Sequence, residues 1–243
     1  MQAASGAPFT GWPLVSTKPL WWGFVPYIVI SLIHVAILAL GAADAVQPSK
    51  LLLMPALALA LLWGVFGSTY RTGFVSLLAA VLLSWLGDGV GSFFPSAPTL
   101  PLMLAFFGLA HLCYMGAFWH HFIRRPLSHW ALVYVIWWIV LLLVIAPQAG
   151  GLAVAVAVYG VVLGGTAALA SRCHRLILIG GVFFLASDSI LAFRLFAADL
   201  MPGWTSPLVM VTYTLGQGLI IAGALLTLHS RVSPRGHADK VVP

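Results

Sequence analysis

The stretch Gly181–Phe196, GVFFLASDSILAFRLF, decides the fold. It is apolar enough to lie within a membrane, yet it carries Asp188 between Ser187 and Ser189. A carboxylate in hydrocarbon is expensive, so a residue of this kind faces a bundle interior or a wet cavity and marks a functional site by default. A second segment repeats the pattern: VLLSWLGDGVG, with Asp88 near its end. The acidic residues of the chain are Asp44, Asp88, Asp188, Asp199 and Asp239, with no glutamate. Two of these five sit inside apolar spans, and the pair organises everything else.

Composition supports a membrane reading. The 243 residues are 62% hydrophobic and 7% charged, where a soluble domain carries about 25% charged residues. The net charge of +6 would suit a nucleic-acid partner in a soluble protein. Here the basic residues occupy loops between apolar runs, as the positive-inside rule describes, so no nucleic acid is expected. The two cysteines form no disulfide framework. Cys113 reads as a small core residue of a span. Cys173 lies in the basic loop SRCHR, where neighbouring cations favour a thiolate, although a plain cytosolic-face thiol is the simpler reading.

A spanning helix needs about 17–25 apolar residues. Eight such runs are expected, at 22–41, 51–67, 72–92, 100–122, 130–146, 151–170, 176–197 and 207–229. The segments between them carry breaker chemistry: AADAVQPS, FFPSAPTLP, APQAGG and DLMPGWTSP. The first apolar run shows no cleavage site and reads as a retained span. Run length excludes a barrel, whose strands are about ten residues of alternating polarity. The expected fold is therefore all-α, a single polytopic bundle over residues 1–243 with eight transmembrane helices. With the N-terminus inside, Lys18, Arg71, Arg124, Arg125, Arg172, Arg175, Arg231, Arg235 and Lys240 fall on the inner side. Lys50 and Arg194 fall outside, and both termini are expected to be cytoplasmic. A multi-pass protein of a bacterial inner membrane fits this pattern.

That topology sets depths. At the helical rise, Asp88 lies about 6 Å and Asp188 roughly 12 Å below the outer edge; His111 and Gln217 lie about 15 Å deep and Tyr213 about 10 Å. Polar groups from four spans thus share one layer. Ser84 and Asp88 are four apart on one helix face, His111 and Tyr114 three apart, and Tyr213 and Gln217 four apart. Glycines Gly87, Gly89 and Gly91 flank Asp88, where they serve close helix packing or leave room for a ligand. The bland alternative for Tyr213 and Gln217 is interhelical hydrogen bonding, worth about 0.6 kcal/mol. An aspartate buried only to pack helices would cost several kcal/mol, so Asp88 reads as functional. Asp, Asp and His suit a metal such as zinc, but no HxxxH pair occurs in the layer, and no metal is expected. There is no GxSxG nucleophile elbow, and the GxGD signature of intramembrane aspartyl proteases is missing because Trp85-Leu86-Gly87 precedes Asp88.

Four blocks in order, SWLGDGVG, GLAHLCYMGAF, GGVFFLASDSILAFRLF and VTYTLGQGLIIAGA, closely resemble the YhhN-like membrane proteins, the lysoplasmalogenase family. SKLLLMP at Ser49–Pro55 looks like that family's Lys-Pro entry to the second span, with the proline displaced. The resemblance implies an eight-span lipid hydrolase without organic cofactor. Its substrate would be a lysophospholipid, the lysoplasmalogen, whose vinyl ether bond is cleaved to a fatty aldehyde and a glycerophospho-alcohol. The matching residues are Asp88, His111, Tyr114, Asp188, Tyr213 and Gln217. Such chemistry resembles glycoside hydrolysis, in which two carboxyl groups share the work. One must be protonated at neutral pH, and burial disfavours the charged form. Asp188, deeper and in the more apolar segment, is expected to be the acid. Asp88 would stay ionised and orient water, with His111 beside them. Ser84, Tyr114, Ser187, Tyr213 and Gln217 would hold substrate and water. The rival function is a transporter or proton-coupled carrier with the aspartates as a relay, against which no internal repeat is evident.

Overall fold

The computed structural model describes residues 19–66 and 72–232, and every regular element within them is helical. A 3-10 turn, Leu20–Phe24, leads into α1 (Val25–Leu40). There follow α2 (Ala43–Val65), α3 (Thr72–Asp88) and the single turn α4 (Val90–Phe93). Next come α5 (Thr99–Ala117, prolonged by a π turn at Phe118–Phe122), α6 (Leu132–Ala149) and α7 (Ala153–Ala170). The last two are α8 (Arg175–Phe196) and α9 (Thr205–Val232). The chain is all-α, as expected.

Among the described residues six helical stretches are long and apolar enough to cross a membrane, where the hydropathy pattern predicts eight. The difference has two sources. The expected spans 130–146 and 151–170 lie in one 42-residue apolar stretch, His129–Ala170. It folds as two helices, α6 and α7, which pack on each other across a 3-10 turn at Gly150–Leu152. Gly150 there has φ +53°, a left-handed conformation that suits a residue without Cβ. The expected span 72–92 stops early, because the helix ends at Asp88 and restarts as α4 after Gly89. Its apolar part, Gly73–Asp88, is about 24 Å long at the helical rise, short of a hydrocarbon core of about 30 Å.

The second span also begins earlier than its expected limits of 51–67. AADAVQPS reads as a loop, yet α2 starts at Ala43. Gly41, at φ +70°, closes α1 by giving its N–H to the Ile37 and Leu38 carbonyls, and the next helix begins two residues later. Pro48 lies beyond the first turn of α2, where a proline removes a backbone donor. Ser49 supports the backbone there by donating its hydroxyl to the Ala45 carbonyl at 2.6 Å. The consequence is functional: Lys50 belongs to a helix, not to a loop.

Neighbouring helices close a ring in the order α1, α2, α3, α5, α7, α8, α9 and back to α1, with α6 outside against α7 and α8. The tightest seam joins α8 to α9. A Cβ on Gly180 would sit 2.7 Å from the Gly216 carbonyl oxygen, and one on Gly216 would sit 2.8 Å from the Phe184 nitrogen. Small residues let these backbones touch, which is how helices associate where lipid offers no hydrophobic drive. Peripheral α6 exposes Val133, Ile136, Val140 and Leu143, an apolar stripe at helical spacing suited to lipid.

One end of the ring is basic. The Arg124 and Arg125 amides donate to the Arg172 carbonyl, at 2.8 and 3.2 Å, and Arg172 Nε returns a bond to the Arg125 carbonyl at 3.0 Å. Lys18, Arg71, Arg235 and Lys240 lie outside the described residues. In the same loop His174 caps α8, its Nδ1 accepting the Leu176 N–H at 3.2 Å. Burial, then Arg124 and Arg125, hold the His174 ring below its ordinary pKa, which keeps that lone pair available. Of the two readings of Cys173, the plain thiol fits and the thiolate does not. It is fully buried, and desolvation outweighs Arg172 and Arg124, so its thiol is pushed up to about 12.

Candidate active site

Asp88 occupies the last residue of α3, where the negative end of the helix dipole disfavours a carboxylate. A cation offsets this: Lys50 Nζ, from the second turn of α2, lies 3.0 Å from Asp88 Oδ1. Tyr213 of α9 donates its hydroxyl to Oδ2 at 2.8 Å. Gln47 Nε2 and Trp85 Nε1 tie α2 to α3 around the site, donating to the Asp88 carbonyl (3.3 Å) and the Leu51 carbonyl (2.9 Å). The carboxylate is buried, with 2% of its side chain exposed, and each of its oxygens has a partner.

Asp188, midway along α8, has different surroundings. Its side chain is 9% exposed, and the Tyr159 hydroxyl of α7 donates to Oδ2. His111 Nε2 of α5 stands 3.9 Å from the same oxygen, too far for a hydrogen bond. The His111 ring is buried, with no hydrogen-bond partner on either nitrogen, and packs edge-on to Phe184 (4.6 Å) and Tyr159 (5.9 Å). Among the described residues no lysine or arginine pairs with Asp188. Ser187 turns to the neighbouring helix, donating to the Val209 carbonyl at 3.1 Å, and Ser189 receives the Trp137 indole N–H at 3.0 Å.

Both carboxyl groups line one cavity of about 200 Å³, together with Lys50, Ser187, Arg194 and Tyr213. It opens among the C-terminal ends of α3 and α8 and the start of α9, at the opposite end of the ring from the paired arginines. Phe107 and Met103 of α5 also border a smaller apolar crevice of about 50 Å³ between α5, α6, α7 and α8. Asp188 and Leu191 border it too, so Asp188 stands where the cavity that holds the charged groups meets a hydrocarbon-lined crevice.

Three of the residues singled out in the sequence stand away from the cavity wall. Gln217 Nε2 donates to Ser84 Oγ at 3.1 Å, while its carbonyl oxygen accepts from the Tyr114 hydroxyl at 2.5 Å. All three side chains are fully buried. They form a hydrogen-bonded tier across the ring, tying α3, α5 and α9 together one turn from Tyr213. Of the eight candidates, Asp88, Asp188, Ser187 and Tyr213 line the cavity; His111 lies behind Asp188; Ser84, Tyr114 and Gln217 form the tier.

Four further residues belong to the site. Charge counting places Lys50 and Arg194 on the outer side, with Arg194 inside the expected span 176–197, and Tyr159 is a lone hydroxyl in an apolar run, itself a sign that a partner is needed. His34 of α1 is the fourth. Ser49 gives its proton to the Ala45 carbonyl, so it accepts from His34 Nδ1 at 2.8 Å. In the neutral ring this leaves a lone pair on Nε2, which is buried and unpartnered among the described residues, and the residue lines the cavity. No group of three or more His, Cys, Asp or Glu side chains able to hold a metal occurs among the described residues.

An all-helical, membrane-type bundle with one buried and one half-buried carboxyl group on a shared cavity is the class of protein that these features define. The chain belongs to the YhhN family, whose model matches residues 46–224, a segment that includes Lys50, both aspartates and the Gln217 tier. No curated protein and no solved structure matches the chain.

Proposed function

We propose that the protein hydrolyses the vinyl ether bond of lysoplasmalogens inside the membrane, releasing a fatty aldehyde and a glycerophospho-alcohol. The observation that carries this reading is the unlike surroundings of two carboxyl groups on one cavity. Asp88 has a lysine at 3.0 Å and a tyrosine donor, which favour its charged form. Asp188 also accepts a tyrosine hydroxyl, from Tyr159, but among the described residues no lysine or arginine pairs with it, and it borders an apolar crevice. Environments that drive two carboxyl groups into different proton states are how acid and base roles are divided.

The chemistry follows. Asp188 gives its proton to the enol ether carbon remote from oxygen, and the adjacent carbon becomes an oxocarbenium ion. With Tyr159 donating to Oδ2, Oδ1 is the oxygen free to deliver that proton. The Asp88 carboxylate stabilises the cation and, with Tyr213, orients a water onto it. The water adds through oxygen and returns a proton to Asp188. The hemiacetal then passes its hydroxyl proton to the leaving glyceryl oxygen and collapses to aldehyde and alcohol. His111 backs Asp188, and the Ser84–Gln217–Tyr114 tier holds α9 so that Tyr213 meets Asp88. The apolar crevice beyond Asp188 suits the alkenyl chain. In the membrane the chain would make eight passes, with both termini and the Arg124–Arg172 end cytoplasmic and the cavity towards the opposite face.

Asp88→Asn and Asp188→Asn, assayed separately for aldehyde release from a lysoplasmenyl lipid, should each lose activity by at least two orders of magnitude at normal expression. Activity retained in either removes the paired-acid mechanism. In liposomes, flux of the lipid without aldehyde would favour the carrier reading.

A further inference from the structure

The cavity wall carries two cations, Lys50 and Arg194, and only the first is paired with a carboxylate among the described residues. Lys50 is matched by Asp88. Arg194, in the last turn of α8, is not matched: among the described residues no carboxylate pairs with it. Its one hydrogen bond runs from Nη1 to Thr205 Oγ1 at 2.6 Å, which pins the side chain at the cavity wall. A guanidinium has five donors in a planar fork, so most of that fork is uncommitted.

A helix C-terminus accounts for a cation at this position in part, since the dipole is negative there. It does not account for a half-buried cation without a carboxylate partner at a cavity wall, where partly desolvating an unpaired charge is costly. Two neighbours add to the positive field. Ser206 lines the same wall, and its hydroxyl has no partner among the described residues. Ser206 also stands at the N-terminal end of α9, the positive end of a 28-residue helix dipole. The Thr205 and Ser206 amides are already used in turns to the Pro202 and Gly203 carbonyls, so this helix offers potential rather than free backbone donors. Thr205 likewise spends its own proton on the Pro202 carbonyl at 2.6 Å, leaving its oxygen to receive Arg194.

We infer that Arg194 and Ser206 form a phosphate-binding subsite. Arginine matches phosphate through paired, charge-assisted hydrogen bonds, and a serine hydroxyl supplies a third. For a lipid ligand, a phosphate here and a chain in the crevice past Asp188 would lay the intervening glyceryl ether across the two carboxyl groups. That placement rests on the hydrolase reading; the phosphate site itself does not.

The test is ligand binding by the purified full chain in detergent, followed by thermal shift. Three probes are used: an uncleavable alkyl-ether lysophosphoethanolamine, the alkylglycerol of the same chain, and inorganic phosphate. Wild type should bind the phospholipid at least tenfold more tightly than the alkylglycerol, and Arg194→Gln should abolish that difference while leaving alkylglycerol affinity unchanged. Ser206→Ala should reduce it severalfold. Stabilisation by inorganic phosphate alone, lost in Arg194→Gln, also supports the site and shows that a free phosphate suffices. Equal wild-type affinity for the two lipids with no response to phosphate, or unchanged phospholipid affinity in Arg194→Gln, overturns it. If Arg194→Gln does not purify as a monodisperse protein, Arg194→Lys replaces it, keeping the charge but losing the fork. A severalfold loss for the phospholipid alone then supports the site, and unchanged affinity for both lipids overturns it. Aldehyde release from a vinyl ether lipid is measured separately. Phosphate discrimination without aldehyde sinks the hydrolase and spares the site; aldehyde without discrimination does the reverse.

Discussion

Replacing Lys50 by methionine removes the cation from Asp88 while keeping most of the side-chain volume. At an effective dielectric of about 20, unit charges separated by the observed 3.0 Å attract by about 5–6 kcal/mol. Lys50 is one-quarter exposed and Asp88 is 2% exposed, so solvent screens one partner and not the other. The lower end of the range for a broken buried pair, about 3 kcal/mol, is therefore the expected cost. Asp88 can avoid that cost only by taking up a proton, which forfeits its stabilisation of the oxocarbenium ion. About 3 kcal/mol corresponds to roughly a hundredfold in rate. The experiment is a double-mutant cycle of Lys50→Met, Asp88→Asn and the pair, read by thermal unfolding in detergent and by aldehyde release. Lys50→Met should be the least stable of the three, the double variant should recover most of the loss, and activity should return in none. A coupling energy below about 0.5 kcal/mol, within the error of independent sites, would refute the pairing.

Two further outcomes follow from packing and burial. Gly180→Ala places a Cβ 2.7 Å from the Gly216 carbonyl oxygen and 2.8 Å from the Ile220 nitrogen, both backbone atoms that cannot rotate away. It should cost about 1–3 kcal/mol of stability, while Gly91→Ala, with nothing within 4 Å of its Cβ, should melt as wild type does. Cys173, buried and with its thiol pushed up to about 12, should resist maleimide at pH 8 in the folded protein and react after unfolding. Labelling at the rate of a free thiol would contradict that burial.

The fold was legible wherever apolar runs were long and bounded by breakers, as for α5, α8 and α9. It was misread where local chemistry and helix geometry disagree. AADAVQPS carries the composition of a loop, yet Gly41 completes the reversal alone and α2 absorbs both Asp44 and Pro48. That one boundary concealed Lys50, whose role depends on lying on a helix face towards Asp88. The family's lysine at the entry to the second span was the available clue. Depth arithmetic brought Asp88, Asp188, His111 and Tyr213 into one neighbourhood because helices running side by side convert sequence offset into height. It could not give rotation about each helix axis. That is why Ser84, Tyr114 and Gln217, at suitable heights, bond one another instead of lining the cavity. Tyr159 and Arg194 had no partner within three or four residues on their own helices. Their significance comes from Asp188 and Thr205 across an interface.

The central claim is that two carboxyl groups on one cavity hold different proton states at neutral pH. Infrared difference spectroscopy of the membrane-embedded protein reads this directly, through the carbonyl stretch of a protonated carboxylic acid. The wild type should show that band at neutral pH, Asp188→Asn should lose it, and Asp88→Asn should keep it. A band that survives in Asp188→Asn, or is absent from the wild type, would contradict the account.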